Sequence, residues 1–433
     1  MQLSRFLKIF PCPGRPGYVV LYSTATAALA LVPDDLYRRL MDGCAAPDDE
    51  KRLSGLGMMV SSREEEGRNA LVRLDNINKN NTLLHLIAVL NLDCNFACPY
   101  CFEVTLKDKS YMSRETADHL LSFIDKRLTG NKKSLCVDFY GGEPLLSIDS
   151  ITYIASRAKE AAEKKGAAWS FSLVTNGSLF TRKTAQALVP LGLARAQITV
   201  DGPPAVHNKS RPFKTGAPSF DTIIKNIRET CDLVKINITG SFEEHTWRQF
   251  PLLLDHLIQE GITPDKIAGV KFAPVVRRPR DVRVPAEFNS GCMSINDPWV
   301  IEAGMQLRQE ILKRGFPSHK LMPMPCSVDM DGEYTVNYDG MLYKCPCFIG
   351  RKEFCVGDVQ TGMGQYRSVY ACDRWKNKEC LECGYLPLCY GGCKYMSLVQ
   401  TGTLESLDCK KPFFDAALET LIQQDITHKK GAA

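Results

Sequence analysis

The sequence has no long hydrophobic run and little excess of charge of either sign. No apolar stretch in its 433 residues approaches the ~18 residues that a membrane-spanning helix needs, so we expect no membrane partner. The 54 Lys and Arg residues against 49 Asp and Glu residues leave a net charge of +5. Over this length that charge does not indicate a nucleic-acid partner. With 44% apolar and 24% charged residues, the composition excludes a disordered or a collagen-like chain.

The sequence also lacks a secretory signal, internal repeats and low-complexity tracts. Residues 1–6 show no basic region followed by an apolar run and a small-residue cleavage site, so we expect a cytoplasmic protein. In a reducing compartment, clustered cysteines are more often metal ligands or catalytic groups than disulfide partners.

Cysteine, by contrast, is abundant. The chain has 18 cysteines, although a protein of this length can build a hydrophobic core without disulfides. Ten of them lie between Cys326 and Cys409, about 12% of that stretch, above the roughly 8–10% typical of a cysteine-built scaffold. Three more are close together at Cys94, Cys98 and Cys101. These two regions are the candidate sites.

The chain is predicted to contain three parts, residues 1–82, 83–315 and 316–433. The first combines short strands near residues 18–22 and 27–31 with helices from Pro33, over 48–60 and from Ser62, which indicates either a winged-helix-like module or a packing extension. The second alternates apolar strands with helices six times, which predicts an α/β fold with a parallel sheet, either open or a partial (β/α)6 barrel. Its strands are predicted at residues 84–92, 135–140, 171–175, 196–200, 234–239 and 270–275.

Distinctive motifs follow the predicted strand ends, where parallel α/β folds place their chemistry. The first is the C-x3-C-x2-C run of Cys94, Cys98 and Cys101. Three thiolates can hold three irons of a 4Fe–4S cluster and leave the fourth iron open to a substrate. A three-cysteine zinc site and a run of buried thiols are the alternatives.

This run, with Tyr100 before its last cysteine, resembles the signature of the radical S-adenosylmethionine (SAM) enzymes. The resemblance implies a partial (β/α)6 barrel in which SAM chelates the open iron and is cleaved to a 5′-deoxyadenosyl radical that abstracts a hydrogen atom from the substrate. It also implies which residues contact SAM: Gly141, Gly142 and Glu143, then Thr175 and Asn176, then Thr199 and Asp201.

The C-terminal cysteines could form zinc knuckles, but behind such a core they resemble the SPASM domain, which carries two auxiliary 4Fe–4S clusters. The resemblance assigns Cys380, Cys383, Cys389 and Cys409 to an outer cluster and Cys326, Cys345 and Cys393 to an inner one. The inner cluster then lacks a ligand. We assign Cys347 to it, with an open iron or Cys355 as the alternatives.

Further stretches at residues 7–18, 89–94 and 138–146 resemble the geopeptide maturases, a branch of the radical SAM/SPASM proteins. This resemblance implies an enzyme that cross-links a small precursor peptide, a leader-binding role for the N-terminal module, and a flavodoxin or ferredoxin as electron donor. A sulfatase-type Cys or Ser oxidase, a peptide epimerase and a non-catalytic iron–sulfur electron carrier remain alternatives.

Several other residues are given no role in the chemistry. His85 is interpreted as a core residue, and His207 and Arg211 as residues that order a loop. The remaining cysteines are interpreted as buried small hydrophobic residues: Cys12, Cys44, Cys136, Cys231, Cys292 and Cys372. No acid or base for catalysis is assigned.

Overall fold

The computed structural model describes residues 1–12, 14–101, 109–275 and 296–428. The chain begins with two small antiparallel sheets and three helices. In chain order these elements are β1 (Gln2–Leu3), β2 (Leu7–Pro11), β3 (Tyr18–Ser23), β4 (Leu29–Pro33), α1 (Asp34–Met41), α2 (Pro47–Gly55), β5 (Met59–Val60) and α3 (Arg63–Asn80). The predicted helix over 48–60 is therefore too long, and β2 was not predicted.

Both faces of the three-stranded sheet β2-β3-β4 are covered by other elements. Successive side chains of its central strand β3 point to opposite faces and pack in different clusters. Leu21 on β3 packs toward Leu40 of α1 and Leu53 of α2. Tyr22, the next residue, packs in a cluster with Tyr385 from the C-terminal part of the chain. The N-terminal module is thus attached to the cysteine-rich region through one face of its sheet.

The central part alternates strands and helices: β6 (Leu83–Val89), α4 (Arg114–Arg127), β7 (Ser134–Tyr140), α5 (Ile148–Lys164), β8 (Ala168–Thr175), α6 (Arg182–Leu188), β9 (Leu193–Thr199), α7 (Pro204–Ser210), α8 (Phe220–Thr230), β10 (Lys235–Phe242), α9 (Phe250–Gln259) and β11 (Ile267–Pro274). All neighbouring pairs from β6 to β11 are parallel. The predicted partial (β/α)6 barrel is confirmed.

Each barrel strand buries alternate residues against the helices and turns the others to the concave side. On β9, Ala196 and Ile198 are fully buried, whereas Gln197 between them is exposed. On β10, Ile236 and Ile238 are fully buried and flank the half-buried Asn237. This alternation leaves polar side chains on the concave face of the sheet, while the apolar side chains on the other face pack against the helices.

After α10 (Pro298–Lys313), the C-terminal part consists of short elements: β12 (Glu333–Val336), β13 (Leu342–Tyr343), β14 (Gly357–Asp358), β15 (Gly362–Met363), α11 (Tyr366–Val369), α12 (Lys378–Glu382), α13 (Leu386–Cys389), α14 (Lys394–Thr401) and α15 (Lys411–Thr427). Strand β12 pairs in parallel with β6, and β13 pairs antiparallel with β12, so the two strands extend the barrel sheet from six strands to eight. The sequence did not predict this addition.

No helix of the described residues combines the length and the apolar character needed to cross a membrane.

Candidate active site

The loop that follows β6 carries Cys94, Cys98 and Cys101, and it is folded against the loop after α7. The backbone N–H of Ala97 donates to Pro212 O at 2.9 Å, and the N–H of Lys214 donates to Asn95 O at 2.8 Å. Cys94 and Cys98 are buried, and Cys101 is half-buried. Backbone hydrogen bonds to the loop after α7 therefore hold the loop that carries the three thiols.

Phe96 lies between the first two cysteines of this loop and anchors it. Its side chain is fully buried, and its ring packs edge-on against Phe213 at a centroid distance of 4.8 Å. An edge-to-face aromatic pair stabilises a structure beyond the effect of its buried apolar area. The Phe96 side chain therefore fixes the position of the cysteine loop against the loop that carries Phe213.

Gly141 and Gly142 bring the end of β7 directly beneath the cysteine loop. A Cβ atom on Gly142 would lie 2.1 Å from Asp93 O, and one on Gly141 would lie 2.5 Å from Asn91 O. Gly141 also has a φ of 141°. Any side chain here would push the loop away, so the glycine pair is required by close backbone approach.

Glu143 ties this glycine pair to the end of β8. Its Oε1 accepts a hydrogen bond from Thr175 Oγ1 at 2.7 Å, and its Oε2 accepts one from the backbone N–H of Asn176 at 2.8 Å. The carboxyl group is fully buried, and burial raises its pKa although these bonds act in the opposite direction. The side chain of Glu143 therefore orders the two strand-end motifs.

Asn176 links the same strand end to the cysteine loop. Its Nδ2 donates to Asn95 Oδ1 at 2.7 Å and lies 3.8 Å from Cys94 Sγ. Its Oδ1 accepts from the backbone N–H of Ser178 at 2.9 Å. Asn176 is thus positioned to hydrogen-bond the sulfur of a cluster ligand.

Asp201, after β9, is fully buried and shares its oxygens among neighbours. Oδ1 accepts from the backbone N–H of Ser241 at 2.7 Å, and Oδ2 accepts from the Tyr100 hydroxyl. Arg211 Nη1 donates to the same hydroxyl at 2.6 Å and lies 3.9 Å from Asp201 Oδ2. Burial raises the pKa of Asp201, and Arg211 opposes that rise.

His207 orders the same corner as a neutral ring. Its Nδ1 accepts the backbone N–H of Asp201 at 3.0 Å, so Nε2 carries the proton and donates to Ser219 Oγ, also at 3.0 Å. Burial, with a contribution from Arg211, lowers its pKa to about 3. The interpretation of His207 and Arg211 as loop-ordering residues agrees with these contacts, and Tyr100 is an additional partner that the sequence did not reveal.

Thr199, the remaining predicted SAM contact, ends β9 on the concave side. Its hydroxyl lies 3.2 Å from that of Thr239 on β10, and the two residues are register partners. The structure thus places the motif residues at the carboxyl ends of strands β6 to β9. The SAM contacts assigned to each residue stay predictions.

The cysteine geometry bears on which metal group the first site could hold. A tetrahedral zinc ion with Zn–S bonds of about 2.3 Å brings its sulfur atoms to about 3.8 Å of each other. Within the described ranges, the one set of three potential ligand atoms lying within 4.8 Å of one another belongs to His85, Cys136 and Asp138. The three thiols of the cysteine loop are not gathered that closely among the described residues. The assignment of a 4Fe–4S cluster to this loop therefore rests on the sequence motif.

Four C-terminal cysteines line a cavity that forms a second candidate site. Its volume is about 370 Å³, and its walls include Cys380, Cys383, Cys389 and Cys409. Burial raises the pKa of Cys380, and the neighbouring thiolates of Cys389, Cys409 and Cys383 raise it further. The four residues that the sequence assigned to the outer cluster thus share one cavity of suitable donors.

The residues assigned to the inner cluster lie in separate short segments. Cys326 precedes a 3-10 turn, Cys345 and Cys347 flank Pro346 after β13, and Cys393 begins α14. Cys347 is buried, and the other three are half-buried. The assignment of these four cysteines to one cluster stays a prediction.

The remaining cysteines only partly follow the interpretation as buried small residues. Cys372 is fully buried, but Cys44 is exposed, so that interpretation is wrong for Cys44. Cys12, Cys136 and Cys231 are half-buried. Cys292 lies outside the described residues.

His85 is not a core residue, which corrects the sequence interpretation. It lies on the concave side of β6, with Nε2 2.9 Å from Asp138 Oδ2 and Nδ1 3.4 Å from Glu333 Oε2. Burial lowers its pKa, but hydrogen bonds with Asp138 and Glu333 outweigh burial and raise the pKa to about 10. The contacts of His85 with Asp138 on β7 and Glu333 on β12 therefore join the barrel to β12.

Residues 90–256 match the family model of the radical SAM superfamily. This segment resembles a radical SAM domain. The matched range contains the three-cysteine loop, Glu143, Asn176 and Asp201. Radical SAM domains use a 4Fe–4S cluster and SAM, and the motif assigns Cys94, Cys98 and Cys101 of this segment to that cluster.

Two curated radical SAM proteins illustrate the similarity. The chain is 28% identical over 230 residues to the radical SAM cyclopropyl synthase TigE of Paramaledivibacter caminithermalis. The matched residues make up 47% of each protein, so the chain spans about half the length of that relative. It is 22% identical over 377 residues to a cysteine-type anaerobic sulfatase-maturating enzyme of Clostridium novyi, which covers 78% of this chain and 96% of that enzyme.

Solved radical SAM structures share the fold. Native anSMEcpe with bound AdoMet and Kp18Cys peptide superposes with a TM-score of 0.63 at 18% identity, over 80% of this chain and 99% of that chain. Streptococcus suis SuiB bound to precursor peptide SuiA superposes with a TM-score of 0.56 at 14% identity, over 94% and 98%. At these identities the likeness concerns the fold.

Proposed function

We propose that this chain is a radical SAM/SPASM enzyme that modifies a ribosomally synthesised precursor peptide by closing an intrapeptide cross-link, a thioether or a similar bond. The observation that carries the proposal is the order of three features along the chain. A small antiparallel sheet precedes a radical SAM barrel, and a cavity lined by four cysteines follows. We divide the chain accordingly into a leader-binding module (residues 1–82), a radical SAM core (83–315) and a SPASM domain (316–433).

The first site is proposed to bind both cofactors of the radical reaction. Cys94, Cys98 and Cys101 would hold the 4Fe–4S cluster, which together with SAM supplies a 5′-deoxyadenosyl radical. The glycine pair lets the end of β7 lie directly against the cysteine loop, so that both motifs can contribute to one site. The residues proposed to hold SAM are Gly141, Gly142, Glu143, Thr175, Asn176, Thr199 and Asp201.

The concave side of the barrel is suited to an extended peptide. Gln197 on β9 is the register partner of Asn237 on β10, and Thr199 is that of Thr239. This row of amide and hydroxyl groups can donate to and accept from peptide N–H and C=O groups, which otherwise lose their hydrogen bonds to water on entering the barrel. A peptide substrate therefore fits the lining chemistry.

The N-terminal sheet offers a place for a leader peptide. Within the described ranges, β2 and β4 each pair only with β3, so each has one edge without a partner strand. An exposed edge can accept an extended peptide through backbone hydrogen bonds. Leu31 on β4 is 37% exposed and supplies an apolar contact beside that edge.

Cross-link formation also needs an electron acceptor. Removal of one hydrogen atom by the radical, followed by bond closure with loss of a proton, leaves one electron on the product. The cavity formed by Cys380, Cys383, Cys389 and Cys409 would hold an auxiliary 4Fe–4S cluster able to accept it. The proposal also assigns an inner cluster to Cys326, Cys345, Cys347 and Cys393, and a flavodoxin or ferredoxin would reduce the first cluster.

A sulfatase-type maturase is the second candidate, since the match to the Clostridium novyi enzyme covers 78% of this chain. The N-terminal module argues for the precursor-peptide function instead. The anSMEcpe superposition leaves a fifth of this chain unmatched, whereas SuiB, which was solved with a precursor peptide, covers 94% of it.

The test is anaerobic co-expression with small open reading frames encoded near this one, followed by tandem mass spectrometry of each peptide. A cross-link removes two hydrogen atoms and leaves the two joined residues on one fragment. Epimerisation leaves the mass unchanged, and oxidation of a single Cys or Ser leaves no joined fragment. The Cys98→Ala variant, which lacks a cluster ligand, should yield unmodified peptide.

A parallel assay addresses the electron-carrier alternative. The anaerobically reduced protein should convert SAM to 5′-deoxyadenosine, and Cys98→Ala should not. Absence of 5′-deoxyadenosine from an iron-loaded protein would contradict an enzymatic role.

A further inference from the structure

The N-terminal module contributes directly to the walls of the outer cysteine cavity. Arg5 Nη1 donates to Leu381 O at 3.0 Å, and Thr24 Oγ1 donates to Gly384 O at 2.6 Å. Leu381 lies in α12, next to Cys380, and Gly384 directly follows Cys383 at the end of that helix. The segment with two of the four proposed outer ligands is thus held by the N-terminal module.

Lys8, on β2 of that module, reaches the cavity itself. Its side chain is among those that line the cavity, and Nζ lies 3.7 Å from the centroid of the Tyr385 ring. A Cβ atom on Gly384 would meet Nζ at 3.2 Å, so the absence of a side chain at Gly384 leaves room for the ammonium group. The Tyr385 ring holds the cation beside the cysteines through a cation–π contact.

Lys8 is one of several charged groups around the cavity: Asp415 also attracts Lys8, and Lys410 is another cation near Cys389. Lys411 is paired with Asp415 at 2.7 Å, and the second oxygen of Asp415 accepts from the Tyr385 hydroxyl, also at 2.7 Å. Glu379 and Glu382 also line the cavity, but both are exposed, so water screens their charge. Lys8 is half-buried, and its field is screened less.

We propose that Lys8 tunes the outer auxiliary cluster, so that the N-terminal module supports electron transfer as well as substrate recognition. The inference rests on the proposed function, because that assignment places a 4Fe–4S cluster in the cavity. Reduction adds one electron to the cluster and makes it more negative. A half-buried ammonium group beside it stabilises the reduced form and raises the reduction potential.

The experiment is a redox titration followed by electron paramagnetic resonance. It uses the full chain with Cys94→Ala, Cys98→Ala and Cys101→Ala, so that only the C-terminal clusters titrate. Three further variants are compared: Lys8→Gln removes the charge, Lys8→Arg keeps it, and Lys51→Gln removes an exposed charge of the same module that is not among the residues lining the cavity.

We expect Lys8→Gln to lower the midpoint of one of the two clusters. A cluster that becomes tenfold harder to reduce shifts by about 59 mV. Lys8→Arg should stay near the parent value, and Lys51→Gln should be unchanged.

Three results would overturn the inference. One is an unchanged midpoint in Lys8→Gln with full iron content. Another is equal loss of the cluster in Lys8→Gln and Lys8→Arg but not in Lys51→Gln, since Lys8 would then act only in folding. The last is absence of the outer cluster from the parent protein, which would also refute the cofactor assignment, whereas the first two leave that assignment intact.

Discussion

Arg211 donates a hydrogen bond from Nη1 to the hydroxyl of Tyr100 at 2.6 Å. This contact joins the loop after α7 to the loop that carries the three cysteines. Asp201, which is fully buried, accepts from the same hydroxyl, so a carboxyl group, a phenol and a guanidinium group form one network beside the cysteine loop. The network couples the position of Cys98 and Cys101 to the end of β9.

Replacement of Arg211 by Met should destabilise the protein strongly. The buried carboxylate of Asp201 would lose its cation, and breaking a buried pair from one side costs about 3–5 kcal/mol. The free energy of urea unfolding should fall accordingly, and the double variant Arg211→Met/Asp201→Asn should recover part of the loss. The matched control is Arg39→Met, which breaks the exposed pair with Asp35 and should change stability by less than about 1 kcal/mol. Equal effects at Arg211 and Arg39 would contradict the network.

Gly142→Ala should displace the cysteine loop. The new methyl group would lie 2.1 Å from Asp93 O, a contact that only backbone movement can relieve. We expect the variant to lose the iron of the first cluster, about four atoms per chain, together with 5′-deoxyadenosine formation. Gly304→Ala is the control: its Cβ meets no atom within 4 Å in α10, so stability should rise by about 0.5–1 kcal/mol. Retention of full iron content by Gly142→Ala would refute the close-approach argument.

Cys347 and Cys372 are both buried, and only the first is predicted to bind iron. Burial, together with Asp329, raises the pKa of Cys372 to about 12, and the cysteine pattern assigns this residue to no cluster. Cys347→Ala should therefore change the resonance signal of the inner cluster or remove its iron, and Cys372→Ala should not. If Cys355→Ala shows the effect instead, the fourth ligand is Cys355, and no effect at either position indicates an open iron.

The ion pairs of His85 should make stability depend on pH. The folded-state pKa of His85 is raised from 6.5 to about 10, so its contribution is fully present below pH 6.5 and is lost as the pH rises toward 10. The gap in urea midpoint between the parent protein and His85→Gln should therefore be widest near pH 6 and shrink toward pH 10. A gap that does not vary with pH would show that His85 is neutral in the folded protein.

The local pattern predicted the barrel well because each strand is a short apolar run with its own boundaries. The predicted strand over residues 135–140 falls within Ser134–Tyr140, and that over residues 171–175 falls within Ala168–Thr175. Strand β12 was missed because four residues acquire a strand conformation only by pairing with β6. The second N-terminal helix was predicted too long, since Gly55 ends it before Met59 pairs with Leu3.

The sequence predicted the candidate site residues because they form short local motifs. Three cysteines lie within eight residues, and a glycine pair directly follows a strand. Contacts between distant residues were not readable, because a charge shows no partner until the chain folds. Only the tertiary structure joined His85 to Glu333, 248 residues apart, and Arg211 to Tyr100, 111 residues apart. It alone brought Lys8 to the C-terminal cysteines, because that approach depends on how one face of the N-terminal sheet packs.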